Sequence, residues 1–196
     1  MSTTYCPIPW IFQAVSNNGD IRVCCQANIT KNEGIIRKSD GTPYNAGRDN
    51  LWEARNAHLM REMRLQMIKG EWPEECARCQ SEEESGLQSR RGYENEWWSK
   101  YNHVWAVENT QQDGTIDFPV RHLDLRFGNL CNLACRMCGP TDSHTWYKDH
   151  VALHGPHYRD THGIVHLKQN DKGRWYTNDY DWHHNSNFWE YMEANM

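Results

Sequence analysis

Eight cysteines in a 196-residue chain that is otherwise poor in aliphatic side chains set the terms on which this sequence can fold. Leu, Ile, Val and Phe together make up 30 residues and mean hydropathy is −0.94, so there is little material for an ordinary hydrophobic core. A net charge of only −5, with 10 Trp and 9 Tyr to bury, argues against disorder. The reading that reconciles these features is metal binding that replaces part of a core. The opening residues, Met1 to Cys6, have neither a basic n-region nor an apolar h-region, and no apolar run approaches the roughly 20 residues that cross a bilayer. A reducing, cytoplasmic setting is therefore expected, in which closely spaced cysteines are metal ligands more often than disulfides. The near-neutral charge gives no reason to expect nucleic acid or a membrane surface as partner.

The tightest group is Leu130-Cys131-Asn132-Leu133-Ala134-Cys135-Arg136-Met137-Cys138-Gly139, directly after a strand-like run at 120–127. Three thiolates spaced by three and then two residues can wrap one face of a cubic iron–sulfur cluster. They ligate three irons and leave the fourth open to a substrate or cofactor. The same residues could instead build a structural zinc site, with His144 the nearest fourth ligand in sequence, or be buried free thiols.

A second set comprises Cys6, Cys24 with Cys25 beside it, Cys76 and Cys79. Runs at 10–15 and 21–25 around an Asn-Gly turn predict a β-hairpin that brings Cys6 and Cys24 toward one end. Strand alternation would point Cys24 and Cys25 to opposite faces, so only one should ligate. A helix over 74–85 would add Cys76 and Cys79 in its first turns, where the helix dipole favours thiolates. Four thiolates here suit an auxiliary iron–sulfur cluster or a structural zinc.

Elsewhere, a loop is predicted over 26–48 and one helix from Asn50 to Gly70, with Trp52, Leu59, Met63 and Met67 inward and Arg55, Arg61, Arg64 and Lys69 elsewhere. Further helices are expected at 90–101, from Thr141 to about Leu153 and over 186–194, with a linker at 109–117 and a structureless insertion at 157–181. The His150/His154 and His183/His184 pairs and the Glu82–Glu84 run read as solvated surface.

The triplet at the end of a strand resembles the signature of the radical S-adenosylmethionine enzymes. That resemblance implies that Cys131, Cys135 and Cys138 hold a catalytic 4Fe–4S cluster. Its open iron chelates S-adenosylmethionine, which is cleaved reductively to a 5′-deoxyadenosyl radical that abstracts hydrogen from substrate. Met137 stands where the family usually has an aromatic residue near the adenine, a role a polarizable Met can fill. Arg126 and Asn129 are candidates for orienting the cofactor carboxylate. The second set, with its Gly19-x4-Cys24 count and later Cys76-x2-Cys79, resembles the twitch domain, half of the auxiliary-cluster domain called SPASM. The count selects Cys24 over Cys25.

The expected fold class is α+β: a twitch-like hairpin-and-helix domain at 1–86, a helical connector at 87–118, and at 119–196 the first βα unit of an incomplete radical SAM barrel. Full barrels take roughly 250 residues, only 58 follow Cys138, and Gly-Gly, the start of the family's next motif, does not occur. A fragment, or a chain completed by a second one, is therefore expected; alone it should not turn over. A lone strand at 120–127 would lack sheet partners, and the last 75 or so residues should pack poorly. An electron donor and an unknown substrate, peptide among the options, are the other implied partners. The competing functions are a two-cluster electron carrier and a zinc-stabilised interaction module.

Overall fold

The computed structural model describes residues 4–27, 34–160 and 163–195 and is mixed α+β. The hairpin is closed by the Asn18-Gly19 step. Gly19 takes φ 88°, Gly19 N–H donates to Ser16 O at 2.8 Å, and Ser16 N–H donates to Asp20 O at 2.9 Å. Strand β1 (Phe12–Val15) pairs antiparallel with β2 (Ile21–Arg22). The residues just before β1, expected as strand, form a buried helical turn, α1 (Ile8–Ile11). Pro7 and Pro9 pre-set its φ, and Trp10 N–H and Ile11 N–H both donate to Pro7 O.

The run before the cysteine triplet forms β3 (His122–Leu125), and it is not a lone strand. It pairs parallel to β1, from Phe12 opposite His122 to Val15 opposite Leu125, giving the sheet order β2-β1-β3. The hairpin thus supplies the hydrogen-bonding edge that a strand this short requires. The crossover between β1 and β3 carries five helices: α2 (Leu51–Arg55), α3 (His58–Lys69), α4 (Ala77–Glu84), α5 (Arg90–Trp97) and α6 (His103–Glu108).

The helix expected from Asn50 to Gly70 is two helices. Asn50 caps the first, its side chain accepting from Trp52 N–H at 2.8 Å, and Gly70 ends the second at φ 85°. Between them Ala57 turns extended, with ψ 157°. The cause is Asn56, whose amide accepts from Ile116 N–H and donates to Ile116 O, both at 3.1 Å, docking the break onto the segment before β3. The inward face also differs from expectation. Arg55 and Arg64, assigned to the outer face, are 1 % and 0 % exposed. Arg55 donates to Trp10 O and Phe118 O, both at 2.6 Å; Arg64 donates to Pro9 O at 2.9 Å, Gly114 O at 3.0 Å and Arg55 O at 2.5 Å. Desolvation lowers both guanidinium pKa values, Arg55 to about 10 and Arg64 to about 9, which leaves both charged at neutral pH.

After the triplet, a 3-10 turn (His144–Trp146) leads into α7 (Tyr147–His154), which starts later than the expected Thr141; the Ser143 hydroxyl donates to Leu133 O and does not cap it. The expected insertion is two hairpins: β4 (His157–Asp160) with β5 (Gly163–His166), and β6 (Lys168–Gln169) with β7 (Trp175–Tyr176). In β4 and β5 only Tyr158 and Val165 point inward, too few apolar positions to reveal an alternation in the sequence. α8 (Ser186–Asn195) follows where a helix was expected.

The last third of the chain is packed, contrary to expectation. Trp182 and Phe188 join Trp10, Phe12, Met60, Met63 and Met67 in the main core, while Tyr147, Tyr158, Val165, Leu167 and Tyr180 form a second one. Trp182 fits because two glycines make room. A Cβ at Gly19 would lie 2.7 Å from Trp182 Cγ, and one at Gly47 would lie 2.8 Å from Trp182 O.

Replacing Arg64 by Leu should cost about 3 kcal/mol or more, since it strands several buried carbonyls at once. Urea unfolding should show a lowered midpoint; a midpoint equal to wild type would refute the structural role given to this guanidinium.

Candidate metal centres

Four of the predicted ligands border the same cavity, although not around one point that would hold a metal ion. Cys6, Cys24, Cys76 and Cys79 line one cavity of about 20 Å³, with Ile8, Val23, Met63 and Met67 as apolar wall and Arg90 and Arg91 as its cations. Each thiol arrives on a different piece of local structure. Cys6 precedes the proline that caps α1, Cys76 closes the 3-10 turn Glu74–Cys76, and Cys79 sits in the first turn of α4. Cys24 lies in a turn beyond β2, where Gln26 N–H donates to its Sγ at 3.3 Å. Because β2 ends at Arg22, strand alternation does not separate Cys24 from Cys25. The two thiols are hydrogen-bonded to each other, which is the first cause of Cys24 being pushed up, burial adding to it. The same hydrogen bond pulls Cys25 down to about 6, with burial opposing and the Arg90 guanidinium assisting.

Burial holds the Cys6 thiol well above its ordinary range; the Ile8 backbone amide works against this, and Cys76, Cys79 and Glu94 reinforce it. Cys76 is pushed up to about 12 by burial and then by Cys79. The cavity is thus a poor place for a bare thiolate, and a bound cation is what would ionise these groups. Arg91 is held on the cavity wall by its ion pair with Glu83 and by donating to Tyr5 O at 3.0 Å; Arg90 pairs with Glu94 at 2.6 Å. These arginines escaped the sequence reading because nothing in the spacing of Arg90-Arg91 ties them to a cavity formed by residues 6–24.

The triplet occupies the loop leaving the C-terminal end of β3. By strand direction this is the end of the sheet away from the four-thiol cavity, roughly 13 Å along four-residue strands. Cys131 and Cys138 are partly exposed and Cys135 is exposed. Cys138 hydrogen-bonds Cys135, and desolvation followed by the neighbours Cys135, Asp142 and Cys131 raises its pKa. Cys138 N–H donates to Cys135 O at 3.0 Å.

The residues around the loop are committed to its shape. Buried Asn129 donates to Pro140 O at 2.8 Å and to Tyr147 Oη at 2.6 Å, so its side chain braces the loop and is not presented to a cofactor. Ser143 and Thr145 hydroxyls donate to Leu133 O, and Trp146 Nε1 donates to Cys135 O at 3.2 Å. His144 Nδ1 accepts from Cys131 N–H at 3.2 Å, which puts the proton of a neutral ring on Nε2 and leaves neither nitrogen open to a metal. Arg126 keeps a half-exposed side chain 3.9 Å from Asp124. Leu130, Leu133 and Met137 are exposed around the thiols, Met137 by 97 %.

Among the described residues, no three His, Cys, Asp or Glu side chains converge on a point that would hold one metal ion. The His150 and His154 rings lie 5.1 Å apart on α7, without a third such ligand among the described residues. Among the described residues, no helix is long and apolar enough to cross a membrane. Set against family models, curated proteins and solved structures, the chain gives no match.

The shifted thiols give a pH dependence. Folded and metal-free, Cys6 and Cys76 keep their protons; unfolded, they ionise near pH 8.5. Their contribution is therefore fully present below about pH 8 and is lost as pH rises toward about 12. Urea titrations of metal-free protein should show this alkaline loss, and Cys76→Ser should blunt it. Equal slopes for the two proteins would show that Cys76 is not the group responsible.

Proposed function

We propose that this chain carries a radical S-adenosylmethionine centre on Cys131, Cys135 and Cys138, and an auxiliary iron–sulfur centre on Cys6, Cys24, Cys76 and Cys79. The observation that carries this reading is the triplet loop. It carries three thiols beyond the C-terminal end of a parallel strand, with Cys138 within electrostatic reach of Cys135 and Cys131, and the nearest candidate to close the set, His144, is engaged by the Cys131 amide. Three thiolates without a fourth protein ligand fit an iron–sulfur cluster with an open iron better than a structural zinc, which takes a closed set of four. Such a cluster, when bound, would supply reductive cleavage of S-adenosylmethionine and hence hydrogen abstraction from a substrate, peptide being one option.

The chain's own residues have definable parts in this proposal. Asn129, Ser143, Thr145 and Trp146 brace the backbone of the loop that carries the thiols. Exposed Leu130, Leu133 and Met137 offer apolar surface to a purine. In the other centre, Arg90 and Arg91 offset the negative charge of a thiolate-ligated cluster, and the amides of Ile8 and Gln26 donate to Cys6 and Cys24. The barrel assignment belongs to the same proposal, with β3 and α7 as its first βα unit. So do a cytoplasmic location and an electron donor.

Anaerobic reconstitution with iron and sulfide tests it. A brown protein whose spectrum changes on adding S-adenosylmethionine is expected. Cys135→Ala should abolish that change and keep the second centre's absorbance, and Cys76→Ala should do the reverse. A brown protein indifferent to the cofactor would make the chain an electron carrier. A colourless, zinc-loaded one would make it an interaction module. Either result ends the enzymatic reading.

A further inference from the structure

The second core is built from phenols where phenylalanine would fill the same volume. Tyr147, Tyr158 and Tyr180 are 4 %, 7 % and 2 % exposed, packed with Val165 and Leu167. Every buried hydroxyl needs a partner, and here the partners form a chain. Asn129 Nδ2 donates to Tyr147 Oη at 2.6 Å, Tyr147 and Tyr158 are hydrogen-bonded, Tyr158 Oη donates to Tyr180 Oη at 3.0 Å, and Tyr180 Oη donates to Asp160 Oδ2 at 2.8 Å. One end is the brace of the cysteine loop and the other is a carboxylate on β4. Tyr180 also touches the lead into that loop directly, since a Cβ on Gly128 would come within 2.9 Å of Tyr180 O.

We propose that Tyr180 and Asp160 form a redox-active pair, in which the phenol gives one electron to a high-potential one-electron acceptor while its proton crosses to the carboxylate. The Tyr180 O–H bond breaks, an O–H bond forms at Asp160 Oδ2, and the acceptor is reduced by one electron. The products are a neutral phenoxyl radical and a carboxylic acid; a one-electron donor restores both as the proton returns. One feature sets Tyr180 apart from the other two phenols, and two more suit it to the role. Its hydroxyl alone among the three donates to a carboxylate in this network. The Tyr158 hydroxyl donates to its oxygen and would stabilise the radical. Its ring is shielded from solvent quenchers by the surrounding core. Burial also holds the Tyr180 phenol far above its usual range, so loss of the electron must be accompanied by transfer of the proton to a built-in acceptor.

The test uses the full chain with photogenerated tris(bipyridine)ruthenium(III) as the acceptor, freeze-quenching and electron paramagnetic resonance. Ring-deuterated tyrosine separates tyrosyl from tryptophanyl signals. Wild type should give a tyrosyl signal that Tyr180→Phe lowers on the order of tenfold, the scale of one hydrogen bond to a charged partner. Asp160→Asn, which keeps the ring and its packing, should lower the yield or lifetime to a similar extent. Tyr93→Phe, at a position 56 % exposed, should leave both unchanged. Near-UV circular dichroism checks that the variants fold; were Tyr180→Phe to misfold, Asp160→Asn decides alone. No tyrosyl signal in wild type, a full signal in Tyr180→Phe, an unchanged one in Asp160→Asn, or an equal loss in Tyr93→Phe overturns the proposal. The oxidant is supplied from outside, so the outcome is independent of whether S-adenosylmethionine is cleaved.

Discussion

Two guanidinium groups, taken out of water and given mainly carbonyl oxygens in return, connect the segments that carry the two cysteine sets. Arg55 and Arg64 reach Pro9 and Trp10 on the turn that follows Cys6, and Gly114 and Phe118 on the segment that delivers β3. Burying a charge without a counter-ion costs several kcal/mol, and here backbone dipoles from three separate segments offset it. The arrangement fixes where β1 and β3 meet, and so where the two cysteine sets stand relative to one sheet. Arg and not Lys suits the position because the forked, planar head can satisfy several carbonyls at once.

From that sheet the two sites acquire opposite characters. The four-thiol cavity is walled by methionines and aliphatic side chains, and burial raises the pKa of its Cys6 and Cys76 thiols. The three-thiol loop is open, its backbone pinned from below by Asn129, Ser143, Thr145 and Trp146. An enclosed four-thiol site suits a structural or electron-holding role, whereas an exposed three-thiol site leaves room for an exogenous ligand. The tyrosine-lined second core touches the three-thiol loop through Asn129 and Gly128, so the loop and the Tyr180–Asp160 pair share a common support.

The aliphatic-poor composition is compensated by aromatic packing. Phe127, at the mouth of the loop, is stacked between Trp182 at 5.6 Å and Trp189 at 5.9 Å, with interplanar angles of 17° and 10°. Trp182 also donates from Nε1 to Arg126 O at 3.3 Å. The C-terminal segment therefore holds the arm that leads from β3 to Cys131. A few large rings, each packed in contact with several neighbours, supply what many leucines would supply elsewhere.

What the sequence determined by itself is local: the Asn18-Gly19 turn, the Asn50 and Gly70 caps, the helix carrying Cys76 and Cys79, and the strand before the triplet. Each depends on residues within a few positions of one another, and the backbone preferences of Asn, Gly and Pro are legible at that range. Spacing suggested a grouping of Cys6, Cys24, Cys76 and Cys79, and the fold puts all four on the lining of one cavity. Tertiary structure alone decided the parallel pairing of β1 with β3, the helix break at Asn56, the burial of Arg55 and Arg64, and the engagement of His144 with the Cys131 amide. All of these join residues that are distant in sequence or facing the unexpected way. A polar side chain is hydrophilic by composition, and only the carbonyls that the fold brings to it decide whether it can be buried.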